Sequence, residues 1–174
     1  MELTEDRIIL APRAAIWAAL CDPEVLQACV PGCQELTGSA EDGFEAVVVQ
    51  KVGPVKATFK GTVSMVDVVA GESCTLIGEG KGGAAGFAKG EARVVLADAE
   101  GGATQLRYQV NAKVGGKLAQ LGSRVVDGFA RKMAQDFFAR FQEQVEPPKP
   151  ETDSAETAAQ DTPKPSWVKR TFGS

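Results

Sequence analysis

With 174 residues, 44% of them hydrophobic, 24% charged and a net charge of −4, the chain is long enough for one domain with a real core plus an appendage, and too short for two comfortable domains. Both signs of charge are mixed along it, which argues against the basic stripe of a nucleic-acid binder. Histidine is absent, so Ser–His–Asp and Cys–His nucleophilic systems, the common zinc hydrolase sites and histidine acid–base work near neutral pH all lack a central part.

Residues 2–10, "ELTEDRIIL", read as an opening strand. Pro12 suits the first turn of a short helix carrying Ile16, Trp17 and Leu20 on one side, and Asp22-Pro23 starts a second one with Val25, Leu26 and Cys29. "VPGC", Val30 to Cys33, ends it. The four cysteines, Cys21, Cys29, Cys33 and Cys74, have no CxxC spacing and no N-terminal segment reads as a secretory signal. They are expected to be reduced thiols in a cytosolic protein, packed as small hydrophobes rather than gathered at a metal.

From Gln34 the apolar period becomes two. Phe44, Ala46, Val48 and Val52 alternate with polar residues, as do Val55, Ala57, Phe59, Gly61, Val63 and Met65, the pattern of half-buried antiparallel sheet. Turns are predicted at Gly53-Pro54, Gly71-Glu72 and Gly101-Gly102, giving an opening strand, two short helices and about six meandering strands. If Phe59 and Tyr108 face the core, so do Gly61, Val110 and Ala112, with Gly78, Gly80, Gly90 and Ala92 from the strands between. That face is short of bulk. Interiors pack to crystal-like density, so it must either draw its cover close or leave a cavity, and an apolar lining would favour an apolar ligand.

Gly78, Gly80 and Gly83 match GxGxxG, but the sequence returns to period two instead of opening a helix, so no dinucleotide site is expected. Residues 81–88 read instead as a mobile loop at a cavity mouth, with Phe87 as the apolar residue of that lid.

A one-sided helix is predicted over 118–145: Leu118, Leu121, Val125, Phe129, Met133, Phe137, Phe141 and Val145 form the apolar stripe. Arg124, Asp127, Arg131, Gln135 and Gln142 lie opposite, with Asp127/Arg131 spaced as an exposed ion pair. Steps of four rotate the stripe about the axis, which suits a curved sheet. After Val145 the composition shifts to Pro, Glu, Asp, Thr and Ala, predicting a disordered linker over 147–163. In the tail, 164–174, Trp167, Val168 and Phe172 are interleaved with Lys164, Lys169 and Arg170, as in a docking peptide for an acidic membrane surface or a partner groove. Its two cations beside the aromatics are too few for a stable anchor, and nothing in it is long enough to span a bilayer.

"APRAAIWAALCDPEVLQACVPGC", "KVGPVKATFKGTV", "GEGKGGAAGFAKGEARV" and, most specifically, "LAQLGSRVVDGFARKMAQDFFARF" carry a resemblance over residues 1–146 to the G-subunit family of carbon monoxide dehydrogenase, a branch of the START-like (SRPBCC) helix-grip superfamily. The resemblance implies an α+β fold in which a seven-stranded antiparallel sheet grips the C-terminal helix around an apolar cavity. It also implies a non-catalytic accessory protein whose partners are the subunits of a molybdenum hydroxylase of the carbon monoxide dehydrogenase type. The expected setting is cytoplasmic, peripheral at the inner face of the cytoplasmic membrane, with a respiratory quinone or prenyl lipid as bound ligand and no covalent cofactor or metal. Some relatives carry a longer hydrophobic C-terminal segment than "SWVKRTFGS", so transient contact is expected rather than firm anchoring.

Three readings follow. In the first, Phe59, Phe87, Tyr108, Val110, Leu121, Val125 and Phe129 line a ligand cavity while Trp167, Val168, Lys169, Arg170 and Phe172 dock to membrane or partner. The second is a small-molecule enzyme using Tyr108 with Glu79 or Glu91. In the third, an interaction or maturation factor with a filled core binds no ligand.

Overall fold

A computed structural model describes residues 1–147; the linker and the docking tail proposed from sequence, apart from Pro147, lie outside the described residues. The chain runs β1 (Glu2–Ile9), α1 (Arg13–Leu20), α2 (Pro23–Cys29), β2 (Cys33–Ser39), β3 (Gly43–Val52), β4 (Val55–Val69), β5 (Ser73–Lys81), β6 (Phe87–Asp98), β7 (Thr104–Gly115), α3 (Lys117–Gln120) and α4 (Ser123–Val145). The seven strands form one antiparallel sheet in the order β1-β7-β6-β5-β4-β3-β2, a meander onto whose far edge the first strand returns. All three predicted turns join the expected strands, and Val52 pairs with Val55 across Gly53-Pro54.

Local signals fix the two short helices. The Asp22 carboxylate accepts from the Glu24 backbone N–H at 2.9 Å, and Pro23 supplies the first helical residue, where its missing N–H costs nothing. Pro12 stands one position before the first residue of α1. The buried Thr104 hydroxyl donates to the Ala11 carbonyl at 2.8 Å, tying the start of β7 to the segment that leaves β1.

The core fills one end of the groove between sheet and helix. Ile9, Ile16, Cys29, Leu106 and Phe141 are fully or almost fully buried there, with Val94, Leu96, Tyr108 and Phe138 around them. The Tyr108 and Phe138 rings stack with centroids 4.9 Å apart, and Phe137 meets Phe138 edge-on at 5.0 Å. Outside this cluster the Arg7 guanidinium lies 5.3 Å from the Phe138 centroid while its Nη1 donates to Gln142 at 2.7 Å. Gln142 in turn donates to the Ile8 carbonyl at 3.3 Å. The glutamine placed on the outer face of the helix therefore clamps α4 to the edge strand.

The single predicted helix is two. Gly122, with φ +89°, interrupts it and separates α3 from α4. Among the described residues, the i,i+4 ion pair of α4 is Lys132–Asp136 at 3.1 Å rather than Asp127–Arg131. The loop predicted at 81–88 is shorter than expected: Lys81 and Phe87 are ladder partners, and only a short turn around a single 3₁₀ segment, Gly83–Ala85, joins β5 to β6.

Candidate functional site

The concave side of the sheet is laid out in cross-strand rows. Phe44, Val63, Gly78, Gly90 and Ala112 stand opposite one another in succession, and Ala46, Gly61, Gly80, Ala88 and Val114 form the next row toward the opposite end. Four of these ten residues are glycine and three are alanine. The first half of α4 lies over this sparse floor, while its second half lies over the aromatic core.

A cavity of about 720 Å³ results. Val48, Gln50 and Val52 of β3 and Phe59 of β4 form one wall, Gly80, Ala88, Ala112 and Val114 the floor, and Leu118, Val126, Phe129, Ala130 and Met133 the helical roof. The surface is mainly apolar and partly open to solvent, with Lys113, Ser123 and Asp127 among the polar residues at its border. Gln50 is the polar side chain of the β3 wall, and its amide nitrogen donates to the Pro31 carbonyl. Such a space admits a lipophilic small molecule with few directed hydrogen bonds.

Two of the seven residues proposed to line the cavity, Phe59 and Phe129, do so. Tyr108 and Val110 face the same side of the sheet but belong to the packed end; Tyr108 is buried in the core and Val110 rests against it. Leu121 and Val125 sit beside the β3–β4 turn: a Cβ on Gly53 would lie 3.5 Å from Val125 Cγ1 and 3.9 Å from Leu121 Cδ1. Val125 is 40% exposed. Phe87 is on the outward side of β6, its ring against Gly115.

Helix geometry explains the position of Val125. At 100° per residue, each step of four overshoots a full turn by about 40°, so Val125 is rotated roughly 160° from Phe141. The roof is therefore contributed by Val126 and Ala130 alongside Phe129 and Met133. The phase could have been found by counting back from Phe141 in steps of 3.6 residues.

The Tyr108 phenol donates to Glu5 Oε1 at 2.9 Å. Burial, followed by that hydrogen bond and the Glu5 charge, holds its pKa well above the ordinary tyrosine value. Glu79 and Glu91 are exposed and lie on the outward side of their strands, so the pair required by the enzymatic reading is not assembled. Burial raises the pKa of all four thiols, that of Cys74 to about 11. No cluster of three potential metal-ligating side chains occurs among the described residues.

Residues 7–146 match the family of the carbon monoxide dehydrogenase G subunit (CoxG). The chain belongs to this family. Membership gives it an accessory role associated with carbon monoxide dehydrogenase. No curated protein matches the sequence. Among solved structures, a conserved protein from Geobacillus kaustophilus is similar at 28% identity and a TM-score of 0.78, covering 83% of this chain and 95% of its own. Proteins from Chromobacterium violaceum (14% identity, TM-score 0.64, 85% and 99% covered) and Thermus thermophilus (17%, 0.63, 83% and 97%) share the fold. This CoxG-family chain thus has the helix-grip architecture, a seven-stranded antiparallel sheet with a long C-terminal helix. Among the described residues, no helix is long and apolar enough to cross a membrane.

Proposed function

We propose that this CoxG-family protein is a non-catalytic carrier, holding a respiratory quinone or related prenyl lipid in its cavity and helping to couple a molybdenum hydroxylase of the carbon monoxide dehydrogenase type to the cytoplasmic membrane. The observation that carries this reading is the cavity of about 720 Å³ between a glycine- and alanine-rich floor and an apolar roof. Its volume is within the range of about 300–1,000 Å³ used for small ligands, and its walls offer far more apolar surface than hydrogen-bonding partners. A soluble hydroxylase must deliver electrons to an acceptor dissolved in lipid. Shielding the acceptor's prenyl chain from water supplies the driving force for extraction, since each buried methylene contributes about 0.8 kcal/mol. The partial opening allows a chain longer than the cavity to emerge.

Native mass spectrometry of the full-length protein, followed by organic extraction and identification of anything bound, tests the reading. A stoichiometric quinone or prenyl lipid is expected. A protein that is empty and also fails to take up added quinone would overturn the carrier role and favour recruitment alone.

A further inference from the structure

The outward side of the sheet carries an arrangement that the cavity does not explain. Lys51 stands directly opposite Lys56, Lys60 opposite Lys81, and Lys89 opposite Lys113. Like charges in directly opposed positions destabilise an antiparallel pair. This chain nevertheless sets three such pairs into one sheet while its net charge is −4; of the six lysines, Lys89 also has an acidic neighbour, Glu79, directly opposite it on β5. All six lysines are exposed, and none takes part in an ion pair among the described residues, where the pairs are Arg13–Asp98, Arg107–Asp6 and Lys132–Asp136.

The lysines share one end of the molecule. Lys51 and Lys56 flank the β3–β4 turn, Lys81 and Lys89 flank the β5–β6 turn, and Lys113 is near the end of β7. This is the end that holds the cavity. The opposite end carries Glu41, Asp42, Glu72 and Glu100 in its turns. Within the lysine set, Phe87 is 39% exposed and is the ladder partner of Lys81.

We propose that this lysine rim, with Phe87 beside Lys81, docks on an anionic lipid bilayer and holds the cavity end of the protein against the headgroups. Charge complementarity selects the anionic partner, and residue type selects lipid over protein. Lysine is a hydrated point charge on a flexible stem and is depleted in protein–protein interfaces, where arginine is favoured. All six opposed residues here are lysine. Lysines near an anionic leaflet together with an exposed aromatic ring are the elements of reversible surface binding. The rim itself is independent of the cargo; the benefit of placing the cavity at lipid rests on the carrier reading above.

The full-length protein is sedimented with vesicles of phosphatidylcholine alone or with phosphatidylglycerol added, beside the variant Lys60→Gln/Lys81→Gln/Lys89→Gln. Quinone uptake from detergent micelles is measured in parallel. The wild type should bind only the phosphatidylglycerol vesicles, less so as salt rises, and the variant should bind them roughly 100-fold more weakly. Its melting temperature should change little, because the Lys60–Lys81 and Lys89–Lys113 repulsions are removed together with the Lys89–Glu79 attraction, and its quinone uptake should persist. Equal vesicle binding by both proteins, or equal binding to neutral and anionic vesicles, would overturn the docking surface. Charge-dependent vesicle binding lost in the variant, with no uptake by either protein, would support the surface and overturn the carrier reading.

Discussion

Gly90 and Ala112 face each other on β6 and β7 so closely that a Cβ on Gly90 would stand 2.8 Å from Ala112 Cβ and 2.5 Å from the Asn111 carbonyl oxygen. Gly80 in the neighbouring row is different: the nearest atom to a Cβ there is the Lys60 carbonyl oxygen at 4.0 Å. One glycine is required by backbone approach, whereas the other leaves usable space at the cavity floor.

Gly80→Leu should therefore fill the cavity without breaking the sheet. Its melting temperature should stay within a few degrees of wild type while uptake of a quinone, followed by quenching of tryptophan fluorescence, falls at least about tenfold. Gly90→Ala should do the reverse, costing about 1–3 kcal/mol in denaturant unfolding from overpacking. A Gly80→Leu protein with full uptake would show that the ligand lies elsewhere.

Tyr108→Phe removes the donor to Glu5 but keeps the ring on Phe138. A loss of about 1 kcal/mol in urea unfolding is expected, with quinone uptake unchanged. Loss of uptake without loss of stability would instead place the phenol in ligand recognition.

Cys74 is buried, and its thiol pKa is raised from 9.0 to about 11. Below pH 9 the thiol is protonated in both folded and unfolded chains. Above it the unfolded chain ionises first, so stability should fall as pH climbs from 9 toward 11, by on the order of 2 kcal/mol from this group. Denaturation midpoints measured across that interval should decline less steeply for Cys74→Ala than for wild type, although the variant begins lower because of its lost packing.

Gln142 joins α4 to β1 through Arg7 and the Ile8 carbonyl. Gln142→Ala should cost about 1–2 kcal/mol and accelerate hydrogen exchange of β1 amides more than those of the central strand β5. Uniform acceleration across the sheet would show that the clamp is not local.

Much of the fold was legible because its signals are local. Asp22-Pro23 announces α2, Gly53-Pro54 a two-residue connection, and period two the strands. Alternation also showed that Phe59, Tyr108, Gly80 and Gly90 share a face. It does not show how far along that face the helix's bulk extends, so alternation alone puts Tyr108 in the cavity, whereas Phe138 packs against it. Phe138 is outside the apparent stripe because steps of four from Phe141 reach Phe137 instead. The wall residues Val48 and Val52 became identifiable only when strand pairing placed them beside Phe59 and the β3–β4 turn. Cross-strand register, which also reveals the opposed lysines, is a non-local property and leaves little trace in one sequence.

Because Phe138 and Phe141 secure one end of α4 while the cavity occupies the other, structural integrity and binding capacity draw on largely different residues of the same sheet and helix. Changes at Val48, Ala88, Ala130 or Met133 can therefore resize the chamber while the aromatic cluster keeps the chain folded. This division gives the scaffold evolutionary latitude: a lineage can reshape the chamber through single substitutions, each tested by selection in a protein that still folds.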